Sequence, residues 1–213
     1  MFWRAPGENQ NIFALESFVD EIAAASGQDP YQFRRKLLEG KPDWLKVLDT
    51  AAEKGDWGKP LPKGQGRGIA ICDNMGSLCA HVAEITVSAK GELKVDRVTV
   101  AVDPHYVVNP LTIAEQMEGG TIFGLSAALY GKITVKNGVP EQGNFDTYRM
   151  VRFAQAPKID VFIVPSGGPA WGGVGEASTP PIMAAVANAI FAVTGKRIRS
   201  LPIMDHDLSP GSA

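Results

Sequence analysis

Apolar residues recur at three- and four-residue spacing through the first sixty positions. Phe13, Leu15, Phe18, Val19 and Ile22 form one helical series, which stops at Ser26-Gly27. Asp29-Pro30 pairs a capping side chain with proline at the first helical position, ahead of Tyr31, Phe33, Leu37, Leu38 and Gly40. A third helix is predicted over Trp44 to Ala52, closed by Gly55, and Gly58 to Gly68 reads as a Gly-, Pro- and Lys-rich connector. The period then changes. Gly68 to Cys72, Leu78 to Ser88 and Leu93 to Val102 read as three strands of a β-meander, with turns at Asn74 to Ser77 and Lys90-Gly91. Asn109-Pro110 opens a helix through Ile113, Met117, Ile122, Leu125 and Leu129. Its Gly119, Gly120 and Gly124 each cost about 1 kcal/mol against alanine, which suggests that a backbone or a ligand comes close there. Asn137-Gly138 predicts a hairpin turn, Val161 to Val164 a buried strand, and Pro180 to Thr194 a last helix ended by Gly195. No internal repeat is visible. Helices followed by a meander and then mixed elements predict an α+β fold, with a helical segment over 1–60 and an α+β unit over 61–213.

Composition narrows the function classes. With 213 residues and a net charge of -2, the chain offers neither the basic balance of a nucleic-acid binder nor that of a protein drawn to an anionic membrane. No apolar run reaches the ~20 residues of a membrane span, and Met1 to Gly7 does not resemble a secretion signal. The compartment stays open. Cys72 and Cys79 are too few for a disulfide framework or a four-cysteine cluster. Together with His81 they form only a weak metal-ligand candidate, because all three fall on predicted strands. His105 and His206 are isolated and receive no role.

The segment richest in chemistry is Gly172-Gly173-Val174-Gly175-Glu176-Ala177-Ser178-Thr179-Pro180-Pro181, between a strand and a helix. Glycines allow close backbone approach, and a helix start offers free N–H groups and partial positive charge. Glu176 is therefore either an anion or base aimed into a cleft, or an ordinary first-turn acid on a tight turn. Gly173-x-Gly175-x-x-Ser178 is a degenerate dinucleotide fingerprint without the following βαβ unit, and no Gly-Lys-Ser/Thr closes a phosphate loop. Trp171 could line a channel or cover core.

Gly173-Val174-Gly175-Glu176, Pro180-Pro181, Ala184 to Ile190 and Thr194 to Pro202 together resemble the C-terminus of the xanthine oxidase family of molybdenum hydroxylases. The likeness is strongest to isoquinoline 1-oxidoreductase large (beta) subunits and aldehyde dehydrogenase molybdopterin-binding subunits. Val107 to Pro110, Gln116 to Gly120, Gly124 to Gly131 and Asn144 to Tyr148 extend it. Phe2-Trp3-Arg4 through Glu16 to Glu21 resembles the family's arginine loop and following helix. The resemblance implies part of a molybdopterin-binding domain, with molybdopterin cytosine dinucleotide as cofactor in the complete enzyme. It implies oxidation of N-heteroaromatics or aldehydes with water-derived oxygen, Glu176 as general base, and Arg4 stabilising charge that develops on the substrate. It assigns Gln116, Gly119, Gly120, Gly173 and Gly175 to the cofactor pocket. No residue is expected to ligate the metal.

Ala177-Ser178-Thr179 departs from the proline or glycine that tends to follow the glutamate in relatives. Full-length relatives are several times longer, so the expected partners are an upstream part of the large subunit and a small [2Fe–2S] subunit. On this reading the chain is a catalytic fragment, inactive alone. The competing class is a non-catalytic assembly module that kept the fold.

Overall fold

The computed structural model describes residues 3–168 and 170–209. Phe2, at the edge of the arginine-loop match, lies outside them. Three helices come first: α1 (Glu8–Ala25), α2 (Pro30–Leu37) and α3 (Pro42–Lys54). Asp29 caps α2, its carboxylate accepting from Gln32 N–H at 2.9 Å, with Pro30 in the first turn. The meander follows as β1 (Gln65–Asn74), β2 (Ser77–Val87) and β3 (Leu93–Asp103). A long helix α4 (Pro110–Tyr130), a two-stranded hairpin of β4 (Val135–Lys136) and β5 (Val139–Pro140), β6 (Lys158–Ile163) and α5 (Pro181–Thr194) complete the chain. β1 is longer than its apolar run, because its ladder with β2 continues to Gln65↔Thr86 at one end and through Asp73↔Leu78 to Asn74↔Ser77 at the other, beside the turn at Met75-Gly76.

The four-stranded sheet has the order β1-β2-β3-β6. β1, β2 and β3 are antiparallel, whereas β6 lies parallel to β3, a pairing that needs a crossover, here through α4. Alternating side chains send Ala70, Cys79, Ala83, Val98, Val100 and Val102 to one face, beneath α4 and α5. Ile69, Ile71, Leu78, Ala80, Val82 and Ala101 go to the other face, where Val47, Leu48, Ala51 and Ala52 of α3 cover them. α5 is core: Ala185, Val186, Ala189 and Ile190 are fully buried. It lies directly on β1, since a methyl group on Gly68 would collide with Ala185 O and Ala189 N.

The apolar series of α1 makes a helix, but the buried face is the other one. Leu15, Phe18 and Ile22 stand in solvent, at 54, 60 and 40% exposure, while Asn9, Glu16, Ser17 and Asp20 are buried. The reason is electrostatic. Arg34 on α2, 1% exposed, pairs with Glu16 at 2.8 Å and donates to the Glu16 carbonyl at 2.8 Å, and Arg197 pairs with Asp20. Glu16 also accepts from Ile71 N–H on the edge strand β1 at 2.9 Å, and Asn188 of α5 donates to Ile69 O at 3.2 Å. Buried charges are tolerated where they are paired and hydrogen-bonded, and these side chains close an otherwise open sheet edge.

Candidate active site

Three segments meet above the start of α5. The chain enters through residues 3–7, where Ala5 (φ 60°) and Gly7 (φ 83°) take left-handed conformations and turn it into α1. This turn aims Arg4 inward. Its Nε donates to Gly175 O at 2.6 Å and its guanidinium donates to Gln116 Oε1 on α4 at 3.0 Å. Arg4 therefore links the glycine loop to α4. Burial lowers its pKa, and the nearby negative charge of Glu176 partly offsets that. Phe123 of α4 stacks with Trp3 at 4.6 Å and lies 5.9 Å from the Arg4 guanidinium carbon. Trp3 is also a wall of a 470 Å³ cavity shared with Phe13, Ile133 and Tyr148.

The loop that bears Glu176 is pinned from below. Gly172 N–H donates to Pro104 O at 3.1 Å and Gly173 N–H to Met75 O at 2.8 Å. Cys72 Sγ lies 3.8 Å from Ala177 O. Glu176 O accepts from Thr179 N–H at 3.0 Å, which closes the turn into α5. One carboxylate oxygen, Glu176 Oε2, is buried and has no hydrogen-bond partner among the described residues. An ionisable oxygen left unpaired beside an arginine is costly for a merely structural acid, which would normally reach water or a donor.

The glycines divide into two groups. A Cβ on Gly120 would meet the Ser178 hydroxyl and come within 3.4 Å of Arg4, and one on Gly124 would meet Thr179 O and Ile182. The helix cost of these two glycines is thus explained by the loop 178–182 packed against α4. A Cβ on Gly173 would lie 3.0 Å from Met75 Cβ. Gly119 and Gly175 have nothing within 4 Å of such a Cβ. Of the residues singled out in the sequence, Arg4, Gln116, Gly120, Gly175 and Glu176 come together. Gly119 faces open space, and Gly173 belongs to the underside of the loop.

Other candidates resolve differently. Trp171 is 63% exposed and tilts against Tyr106 at 5.0 Å, so it does not cover core. Cys72, Cys79 and His81 are buried, and no cluster able to hold a metal ion exists among the described residues. His105 is held by Ser166 at 2.9 Å, which the sequence did not suggest. Asn9 is a further functional residue that no motif marks. It sits in the first turn of α1 with nothing in its spacing to mark it, yet its amide holds the Arg4 loop.

Residues 29–157 match the family model of the molybdopterin cofactor-binding domain. The chain belongs to that family. It is 37% identical over 206 residues to the isoquinoline 1-oxidoreductase subunit beta of Brevundimonas diminuta, covering 95% of this chain and 26% of that protein. It is 32% identical to a membrane-bound aldehyde dehydrogenase of Gluconacetobacter polyoxogenes, whose name specifies pyrroloquinoline-quinone, over 93% of this chain and 28% of the relative. In structure it is similar to the aldehyde oxidoreductase of Desulfovibrio gigas. That TM-score is 0.74 at 18% identity, over 94% of this chain and 40% of that one, and it bears on the fold alone. The chain spans about a quarter of the length of these two curated relatives. Among the described residues, no helix is long and apolar enough to cross a membrane.

Proposed function

We propose that this chain is the base-bearing part of a molybdenum hydroxylase that oxidises N-heteroaromatics or aldehydes with water-derived oxygen. The observation that carries the reading is Glu176 Oε2, buried and unpaired beside Arg4. A pterin cofactor fits this corner. Gly175 leaves open backbone, Gln116 holds Arg4 through its side-chain amide oxygen, and the guanidinium supplies positive charge for an anionic group. Molybdopterin cytosine dinucleotide is the form proposed; bound here, it would supply the redox chemistry of oxygen insertion. Glu176 Oε2 takes the proton released as the water-derived nucleophile is activated. Arg4 offsets negative charge that builds on the substrate, and Gln116 holds Arg4 at the correct height above α4. Phe123, stacked on Trp3, covers one flank of the guanidinium.

The remaining length of the relatives motivates the proposed partners, an upstream part of the large subunit and a small [2Fe–2S] subunit. On this reading the chain alone is inactive. The same length difference is what favours the competing reading, an assembly module inactive in any context. Glu176→Ala in the complete enzyme separates them. It should lower turnover by about 10²–10⁴-fold while molybdenum stays bound, because the carboxylate acts as a base and is not a metal ligand. Near-normal turnover of that variant would remove Glu176 from the mechanism.

A further inference from the structure

Arg4 reaches its partners only because the chain before α1 is folded back, and one side chain secures that fold. Asn9 Nδ2 donates to Arg4 O at 2.6 Å and to Ala5 O at 2.7 Å. Ala5 O also accepts from Glu8 N–H at 3.2 Å. The amide orientation follows from chemistry, since both neighbours are carbonyl oxygens and only the NH₂ end can face them. Asn9 is buried at 7% exposure, and its Oδ1 has no partner among the described residues. The turn it holds contains a left-handed alanine, a conformation that non-glycine residues rarely adopt and that needs such support. From this turn the Arg4 side chain runs to Gly175 O, the carbonyl immediately before Glu176.

We infer that Asn9 is a positioning residue, which clamps the Arg4 turn and through Arg4 sets the place of the Gly175–Glu176 peptide. The inference rests on the reading of Arg4 and Glu176 given above, but its geometry can be tested without any turnover. Aspartate at position 9 has the same shape but no N–H donors, and when ionised it repels both carbonyls. When protonated it can donate one O–H, so its effect must reverse with pH. Alanine removes the clamp at every pH. A residue that merely fills space would show no such reversal.

The experiment is ¹H–¹⁵N NMR of the 213-residue chain, with the Arg4 Nε–H resonance assigned by its disappearance in Arg4→Lys. The wild type should show this proton protected from exchange. In Asn9→Ala its exchange should accelerate about ten-fold or more, the factor that corresponds to losing the two hydrogen bonds Asn9 donates, while amide shifts of β2 and α5 stay in place. In Asn9→Asp the resonance should be displaced at neutral pH and return toward its wild-type position as the new carboxyl protonates. In the assembled enzyme Asn9→Ala should lower kcat with little change in KM. Loss of Arg4 protection with kcat unaffected would leave the clamp standing and overturn only the role given to Arg4. An Arg4 resonance unmoved in both variants would overturn the inference. So would unfolding of both, which would make Asn9 a residue of the fold alone.

Discussion

Replacing Glu16 with alanine tests why α1 buries its charged face. Arg34 would keep its 1% exposure and lose its 2.8 Å partner, and Ile71 N–H would lose its acceptor on the edge of the sheet. Removing one member of a buried pair costs about 3–5 kcal/mol. Asp20 Oδ2 stays 3.7 Å from Arg34, which retains part of the compensation and favours the lower end of that range. The orphaned N–H adds about 1 kcal/mol, for a total of about 4 kcal/mol. At about 2–4 °C per kcal/mol for a domain of this size, the melting point should fall by roughly 8–16 °C. The comparison variant is Phe18→Ser, two positions away on the 60% exposed side, which should change stability by no more than about 0.5 kcal/mol. Urea unfolding followed by tryptophan fluorescence, with calorimetry as a second probe of a single transition, measures both. The reasoning fails if Glu16→Ala stays within 1 kcal/mol of the wild type, or if Phe18→Ser proves the more damaging change.

His81 supplies a pH prediction. Burial holds its pKa down at about 3, against an ordinary value of 6.5, so the folded protein keeps it neutral. Below 6.5 the unfolded chain takes up a proton that the folded one refuses. Its contribution is fully present above that value and is lost by up to about 1.4 kcal/mol per pH unit on the way down, or about 2 kcal/mol by pH 5. His81→Leu should flatten the stability curve between pH 6.5 and 5; an unchanged slope would show that His81 protonates within the fold. For the isolated chain, elemental analysis with light scattering should find less than stoichiometric molybdenum and self-association, since Leu15, Phe18, Ile22 and Leu37 present apolar surface to solvent. A monomer carrying one molybdenum per chain would contradict it.

Caps, turns and apolar runs made the local elements legible. Asp29-Pro30 and Asn109-Pro110 start helices because a carboxylate or amide satisfies free N–H groups beside a residue with none to lose. Gly195 ends α5 in a left-handed cap, and apolar runs between turn residues, alternating only in the third, marked the three meander strands. The Gly-Val-Gly-Glu loop and its ordered neighbours carried the family, because motif chemistry is local. Tertiary structure alone decided which face of α1 is inside. Periodicity reports where apolar residues lie but not that Arg34 and Arg197 wait for Glu16 and Asp20, contacts made across 18 and 177 positions. It decided as well that Gly120 and Gly124 serve the 178–182 loop while Gly119 and Gly175 stay open, since spacing cannot tell a glycine against a backbone from one facing a ligand. And it brought Arg4, Gln116 and Glu176 to one corner, with Asn9 behind them, because the angle at which a chain leaves a turn depends on hydrogen bonds that no residue pattern records.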